Sequence, residues 1–358
     1  MHARAHALVW IFVLTSCAGA VPRMYAAEEE AVSLANEALQ KLVSTPLGQT
    51  LPNLPWKVDL VESWRVNASS NGRGQITITR GLAFVLRNHL GVWAAAIAHE
   101  LGHSVMLYPA SRPPFEAEFR RAYLAAGGSL THAESALGSG AGSGGLFNRG
   151  GQRRIEYEAD RLGLLLMAEA GYHPEYAVAL DRRMRWATGD QAEFSEFLLS
   201  HPLWSNREER TVQIEGTALA IFNHRWPDPA QSPGGAPPPI GGIESVAVSR
   251  DAQAQALVLR VGLEIRNARN RQVRVAAVLL DRNGPVRRPV AGMQAPDGSL
   301  TLNAMLPELD HGRAETALRI PVAVVAGKPR KLTAEVFLVA DDWTLSIWLQ
   351  PLEFPAQN

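Results

Sequence analysis

Cysteine is almost absent from this chain: one residue, Cys17, in 358. A lone thiol excludes an intrachain disulfide framework. A surplus of charge is absent as well, with 35 basic residues against 35 acidic ones. No basic block and no basic–aromatic interleaving occurs, which argues against nucleic acid as a partner. After the N-terminus, no apolar run reaches the roughly 20 residues that cross a bilayer. The composition is that of an ordinary globular protein, 46% hydrophobic, in a chain long enough for two domains with real cores.

Residues 1–27 read as a signal peptide. Arg4 precedes an apolar run from Ala7 to Leu14, a short signal core. The chain is therefore expected to be exported, to a periplasm. Two outcomes stay open. Leu14-Thr15-Ser16-Cys17 resembles the lipobox of bacterial lipoproteins, so acylation of Cys17 could attach the protein to the outer membrane and account for its single thiol. Cleavage after Ala18-Gly19-Ala20 instead discards Cys17 and releases a soluble chain.

The stretch Ala94–Tyr108 organises the rest of the chain. It contains His99-Glu100-Leu101-Gly102-His103. On a helix the two histidines fall at i and i+4, one turn apart on one face, where they can grip one metal ion. Imidazole at this spacing suits zinc. Glu100 lies about 100° round the helix from His99, poorly placed to share the grip but able to reach a water beside the metal. Trp93, Ile97, Leu101 and Val105 form an apolar stripe on another face. Gly102 costs about 1 kcal/mol relative to Ala in a helix interior, which predicts a backbone or a substrate passing close to it.

Around this stretch the pattern is mixed. Residues 28–45 carry helical periodicity. Trp56–Val66 and Gln75–Thr79 alternate as half-buried strands, with Asn71-Gly72-Arg73-Gly74 as the turn between them. A strand just ahead of a metal helix can pair its free edge with an extended substrate, which makes Ile76, Thr77 and Ile78 candidate substrate contacts; a plain sheet strand is the equal alternative. Gly81–Leu90 and Phe115–Ala126 read as helices. Gly138–Gly145 is a low-complexity stretch, a lid or a surface loop. Gln152–Gly171 is helical, stopped by Gly171 and Pro174. On it Glu156 and Asp160 share a face while Glu158 points away. Glu156 is a candidate third metal ligand, and Asp160 could accept a hydrogen bond from the spare N–H of a ligating histidine.

These ordered motifs resemble the HtpX and CAAX-prenyl-protease family of gluzincin metallopeptidases. The resemblance runs over Trp64–Arg210. It rests on Val66-Asn67-Ala68, Ile76–Leu82, His99–His103, Arg153-x-x-Glu156-Tyr157-Glu158-Ala159-Asp160, Gly171-Tyr172-His173-Pro174 and His201-Pro202 with Arg207. It implies one zinc per chain held by His99, His103 and Glu156, with Asp160 supporting a ligand from behind. It also implies that His201, accompanied by Arg207, contacts substrate or oxyanion. Glu100 is then the general base of peptide hydrolysis. The chain lacks the membrane helices of some members, so it resembles an exported branch. Polypeptides, including misfolded envelope proteins, are the implied substrates.

Asp181–His224 is mostly helical, and Trp226–Gly242 is a Pro/Gly linker. Beyond it Leu257, Leu259, Val261, Leu263 and Ile265 alternate with other residues as in a long strand, and further strands come after it. The expected class is α+β. A mainly helical peptidase domain with a small β-sheet spans 28–225, and an all-β sandwich spans 243–358. A chaperone or assembly factor that only binds peptides in the cleft is the alternative function, and the intact Glu100 argues against it.

Overall fold

The computed structural model describes residues 20–87, 89–137, 149–188, 204–251, 253–281, 284–286, 300–307, 311–321, 330–341 and 343–354. The lipobox, Gly138–Gly145 and His201 lie outside the described residues. The chain divides into two compact units, one spanning Pro22–Pro238 and the other including Pro239–Asn358.

Helix α1 (Ala20–Ser44) lies in the first unit from Pro22 onward. Ala31, Ala35, Ala38, Leu39 and Leu42 recur at helical spacing and are fully buried, so this stripe is the helix's inner face. Asn36 fastens it to strand β1 (Lys57–Val61): its Oδ1 accepts from the Val58 amide at 3.0 Å and its Nδ2 donates to the Val58 carbonyl at 3.2 Å. Strands β2 (Ala68–Ser70) and β3 (Gln75–Thr79) complete a three-stranded sheet in the order β1-β3-β2. β3 runs parallel to β1 and antiparallel to β2. The Asn71–Gly74 turn therefore joins β2 to β3, not the two longer stretches that alternation suggests.

This order corrects the expectation for Ile76, Thr77 and Ile78. β3 is the central strand, paired on both sides, and Ile76 and Ile78 are fully buried. They have no free edge to offer a substrate. Alternation identifies a strand but carries no information on its neighbours, which are fixed by long-range pairing.

Helix α2 (Arg80–Leu86) starts from Thr79, whose hydroxyl accepts the Leu82 amide. Helix α3 (Leu90–Leu107) carries the histidine pair and is apolar nearly all round. Trp93, Ile97, Leu101 and Val105 are all fully buried, and the Trp93 indole donates to the Arg87 carbonyl at 2.7 Å. Helices α4 (Arg112–Ala125), α5 (Leu130–Leu137), α6 (Arg149–Glu169), α7 (Glu175–Thr188) and α8 (Trp204–Arg225) come next. Helix α6 ends on Gly171 at φ +85°, with the Tyr172 amide bonded back to the Met167 carbonyl at 2.9 Å. This left-handed cap favours glycine.

Part of the Pro/Gly stretch that composition assigns to a linker over 226–242 is bound to the helical unit. A Cβ on Gly171 would run into Pro233 and lie 2.8 Å from the Trp226 ring. The Gly234 amide donates to the Gly171 carbonyl at 3.0 Å, and the Tyr176 hydroxyl meets the carbonyls of Gly234 and Ala236 at 2.7 and 3.1 Å. Proline and glycine disfavour regular secondary structure, but they do not prevent docking.

The second unit contains β4 (Ile240–Asp251), β5 (Ala256–Arg266), β6 (Val273–Asp281), β7 (Gly284–Pro285), β8 (Thr301–Met305), β9 (Gly312–Pro321), β10 (Arg330–Ala340) and β11 (Trp343–Phe354). They form one antiparallel sheet in the order β4-β5-β9 and another in the order β11-β10-β6-β7, with β8 also on β6. In β5, Leu259, Val261, Leu263 and Ile265 are fully buried while Arg260 and Glu264 are exposed, as period-2 alternation requires. In β10, Ala334, Val336, Leu338 and Ala340 form one buried face. The class is α+β, a helical unit with a small sheet followed by an all-β region.

Candidate metal centre

The crossing of α3 and α6 builds the site. A Cβ on Gly102 would clash with the Ala159 backbone, 2.9 Å from its Cα, and a Cβ on Gly163 would lie 2.8 Å from the Ala98 carbonyl. Each helix thus presents a glycine to the other's backbone, and Ala98 and Ala159 beside them are fully buried. The passing backbone expected at Gly102 is that of α6. Sequence reasoning misses Gly163, its counterpart, although a glycine inside a helical pattern is the same signal.

This close approach brings together residues 57 positions apart. The Nε2 atoms of His99 and His103 lie 3.1 Å from each other. Glu156 Oε2 is 3.4 Å from the first, and Glu156 Oε1 is 3.5 Å from the second. A tetrahedral zinc with ligand distances of about 2.0–2.1 Å sets its ligand atoms about 3.3 Å apart. Two imidazole nitrogens and a carboxylate on a triangle of that size fit the ion. His99 is oriented from behind: its Nδ1 lies 2.7 Å from Asp160 Oδ1. With Nδ1 donating to the carboxylate, Nε2 presents its lone pair to the triangle's centre.

Glu100 belongs to the same cluster, with a carboxylate oxygen within 4.8 Å of the histidine nitrogens. Two buried carboxylates therefore compete for the third position. Glu156 approaches both nitrogens at 3.5 Å or less. Glu100 is buried beside the triangle.

Glu158 does point away from this centre. It pairs with Arg112 on α4 at 2.8 Å and with Arg161 on its own helix. The Arg161 partnership is readable at i,i+3 spacing; the Arg112 partnership spans 46 positions and is not. His173 caps α7, its Nδ1 accepting the Glu175 amide at 3.3 Å, and burial pulls its pKa down to about 4. Arg207 falls on α8, with its side chain outside the described residues. The structure thus brings His99, Glu100, His103, Glu156 and Asp160 together and removes Ile76, Thr77 and Ile78.

A family model described as Peptidase family M48 matches residues 33–214, just over half of the chain. The chain belongs to peptidase family M48. Two curated relatives of this M48 chain are mitochondrial metalloendopeptidases OMA1. The one from Schizosaccharomyces pombe is 26% identical over 187 residues, covering 49% of this chain and 53% of that protein. The one from Arabidopsis thaliana is 28% identical over 179 residues, covering 49% of this chain and 35% of that protein. The matched part thus spans about half or less of the relatives' length. A solved structure, a Pseudomonas fluorescens alkylpurine DNA glycosylase AlkC bound to DNA containing an abasic site analog, covers 77% of this chain and 80% of that one. It is 10% identical with a TM-score of 0.20, and that value carries no weight.

These relatives correct the expected location. The signal-like N-terminus points to an exported, periplasmic protein, whereas the curated relatives are mitochondrial metalloendopeptidases. Short apolar cores preceded by a basic residue are not diagnostic of one destination. Among the described residues no helix is long and apolar enough to cross a membrane.

Proposed function

We propose that this M48 chain is a zinc-dependent endopeptidase that cleaves polypeptides. The observation that carries the reading is the triangle of His99 Nε2, His103 Nε2 and a Glu156 oxygen pair, with spacings of 3.1–3.5 Å and with Asp160 behind His99. His99, His103 and Glu156 would hold the zinc. Held there, the ion would supply Lewis acidity to the scissile carbonyl. Asp160 fixes the tautomer and orientation of His99. Glu100 takes a proton from the attacking water and returns it to the leaving amine, a role its burial beside the ligands favours. In the same reading His201, accompanied by Arg207, steadies the negative charge that develops on the scissile carbonyl.

The test is a pair of measurements on an unfolded polypeptide such as casein. The unsubstituted chain should cleave it in a chelator-sensitive way, and Glu100→Gln should lower kcat by about 10²–10⁴-fold while zinc content stays at about one per chain. Cleavage at the unsubstituted rate by Glu100→Gln rules out its role as base. Tight peptide binding without any cleavage by the unsubstituted chain points to the peptide-binding alternative.

A further inference from the structure

On the metal helix one exposed side chain is left over by this chemistry. Leu107, in the last turn of α3, is 61% exposed, a large value for a leucine. At 100° per residue it lies about 40° round the helix from His103 and one turn beyond it, while Ser104 lies about 100° round. Leu107 therefore projects between the direction of the histidine pair and the direction in which Ser104 points.

Ser104 points to β2. Its hydroxyl is 3.4 Å from that of Ser70, the last residue of the strand. Two residues on, a Cβ at Gly72 would lie 3.2 Å from Leu107 Cδ1. Residue 70 against 104 and residue 72 against 107 mean that strand and helix advance in the same sense. The Tyr108 hydroxyl donates to the Gly72 carbonyl and fastens the turn to the helix end. Leu107 thus lies beside the turn that follows β2.

β2 is also the outer strand of its sheet on this side; among the described residues it pairs only with β3. An extended peptide that pairs with the outer edge of β2 and places its scissile carbonyl at the histidine pair runs past Leu107. One of its side chains then lies against the leucine and removes both apolar surfaces from water.

We propose that Leu107 is a specificity-determining residue that selects substrates carrying an apolar side chain close to the scissile bond. This rests on the endopeptidase reading above. It assigns to the helix end a role that the ligand triangle does not need, and it gives the substrate class a chemical definition.

The test uses the full chain, Leu107→Ala and Leu107→Lys. Each is given peptides that carry Leu, Gly or Asp at one position at a time, from three residues before the scissile bond to three after it. At one position the unsubstituted chain should prefer Leu in kcat/KM. Leu107→Ala should lower the Leu-to-Gly ratio there by about tenfold, the scale of losing a few methylenes from an apolar contact. Leu107→Lys should move the preference toward Asp at the same position. At this exposure, zinc content and melting temperature should stay unchanged in both variants. Unchanged ratios at every position overturn the assignment while leaving the peptidase reading standing. Loss of zinc or early melting makes Leu107 structural and overturns it as well. Absence of cleavage by the unsubstituted chain overturns the peptidase reading and this inference with it.

Discussion

Two glutamates, one in each unit, are buried to nearly the same extent: Glu156 is 4% exposed and Glu335 is 5%. Their surroundings differ completely. Glu156 faces two imidazole nitrogens at 3.4 and 3.5 Å. Glu335 sits on β10 opposite Val278, on the strand face that also carries Phe337 and Val339, and its Oε2 has no hydrogen-bond partner. Burial pushes the Glu335 carboxyl up to about 8, so it stays protonated at neutral pH and avoids the cost of a buried charge. Burial alone does not make a site. A constellation of convergent donors does, because only then does a cation compensate the desolvation. Among the described residues every other buried ionisable Asp, Glu, His or Arg side chain lies in the helical unit, which also holds the histidine pair.

The comparison breaks most severely at Glu156. Glu156→Ala should reduce zinc from about one per chain to near none, with cleavage lost, as metal analysis and a proteolysis assay would record. Full zinc retention would remove Glu156 from the ligand set.

The opposite behaviour is expected of Glu335. Unfolded, its carboxyl titrates near 4.5; folded, near 8. The stability it contributes is therefore complete below pH 4.5 and lost as pH rises through 8, at up to about 1.4 kcal/mol per pH unit. Glu335→Gln should flatten the fall in stability between pH 5 and 8, worth up to about 4 kcal/mol over that range. A chain whose unfolding has the same pH slope with and without the carboxyl contradicts this. His173 has the reverse sign. With its folded pKa near 4 and its unfolded value near 6.5, the stability it contributes is lost as pH falls from 6.5 to 4.

Dividing the chain sharpens the contrast between the units. A chain ending at Pro238 keeps Pro233, Gly234 and Ala236 and should melt as a folded unit that still cleaves a short peptide. A chain ending at Gln231 loses their contacts with Gly171 and Tyr176 and should be less stable by about 2–3 kcal/mol, measured by urea unfolding. Equal stability of the two would make the 226–238 strap a passive connector. If the Pro238 chain fails to fold, the β unit completes the helical core.

The smallest effect is expected at Asp160, which supports the ligand triangle without joining it. Asp160→Asn should weaken zinc binding by about 10–100-fold, as for other outer partners of ligating histidines. Affinity measured by competition with a chelator checks this, and an unchanged value would leave the 2.7 Å contact without a role.

Much of the centre was legible because helix periodicity is local. His99 and His103 are one turn apart on α3 wherever that helix packs, and Glu156 and Asp160 are one turn apart on α6. A glycine in the middle of an apolar helix signalled a close neighbour, and Gly102 has one in Ala159. The alternation of Leu259 through Ile265 signalled a strand with one buried face, and the second unit's sheets arise from such patterns.

What only the tertiary structure decided is everything that depends on which distant segments meet. Glu156 comes within 3.5 Å of both histidine nitrogens because the paired glycines let α6 cross α3 at that height. β3 became the central strand, and β2 the outer one, through pairings that alternation does not encode. The Pro/Gly stretch became a docked strap because Gly171 and Tyr176 wait for it on the helical unit. Local spacing sets which face of an element a side chain occupies; packing between elements sets what that face meets, and the sum of many weak, long-range contacts fixes that packing.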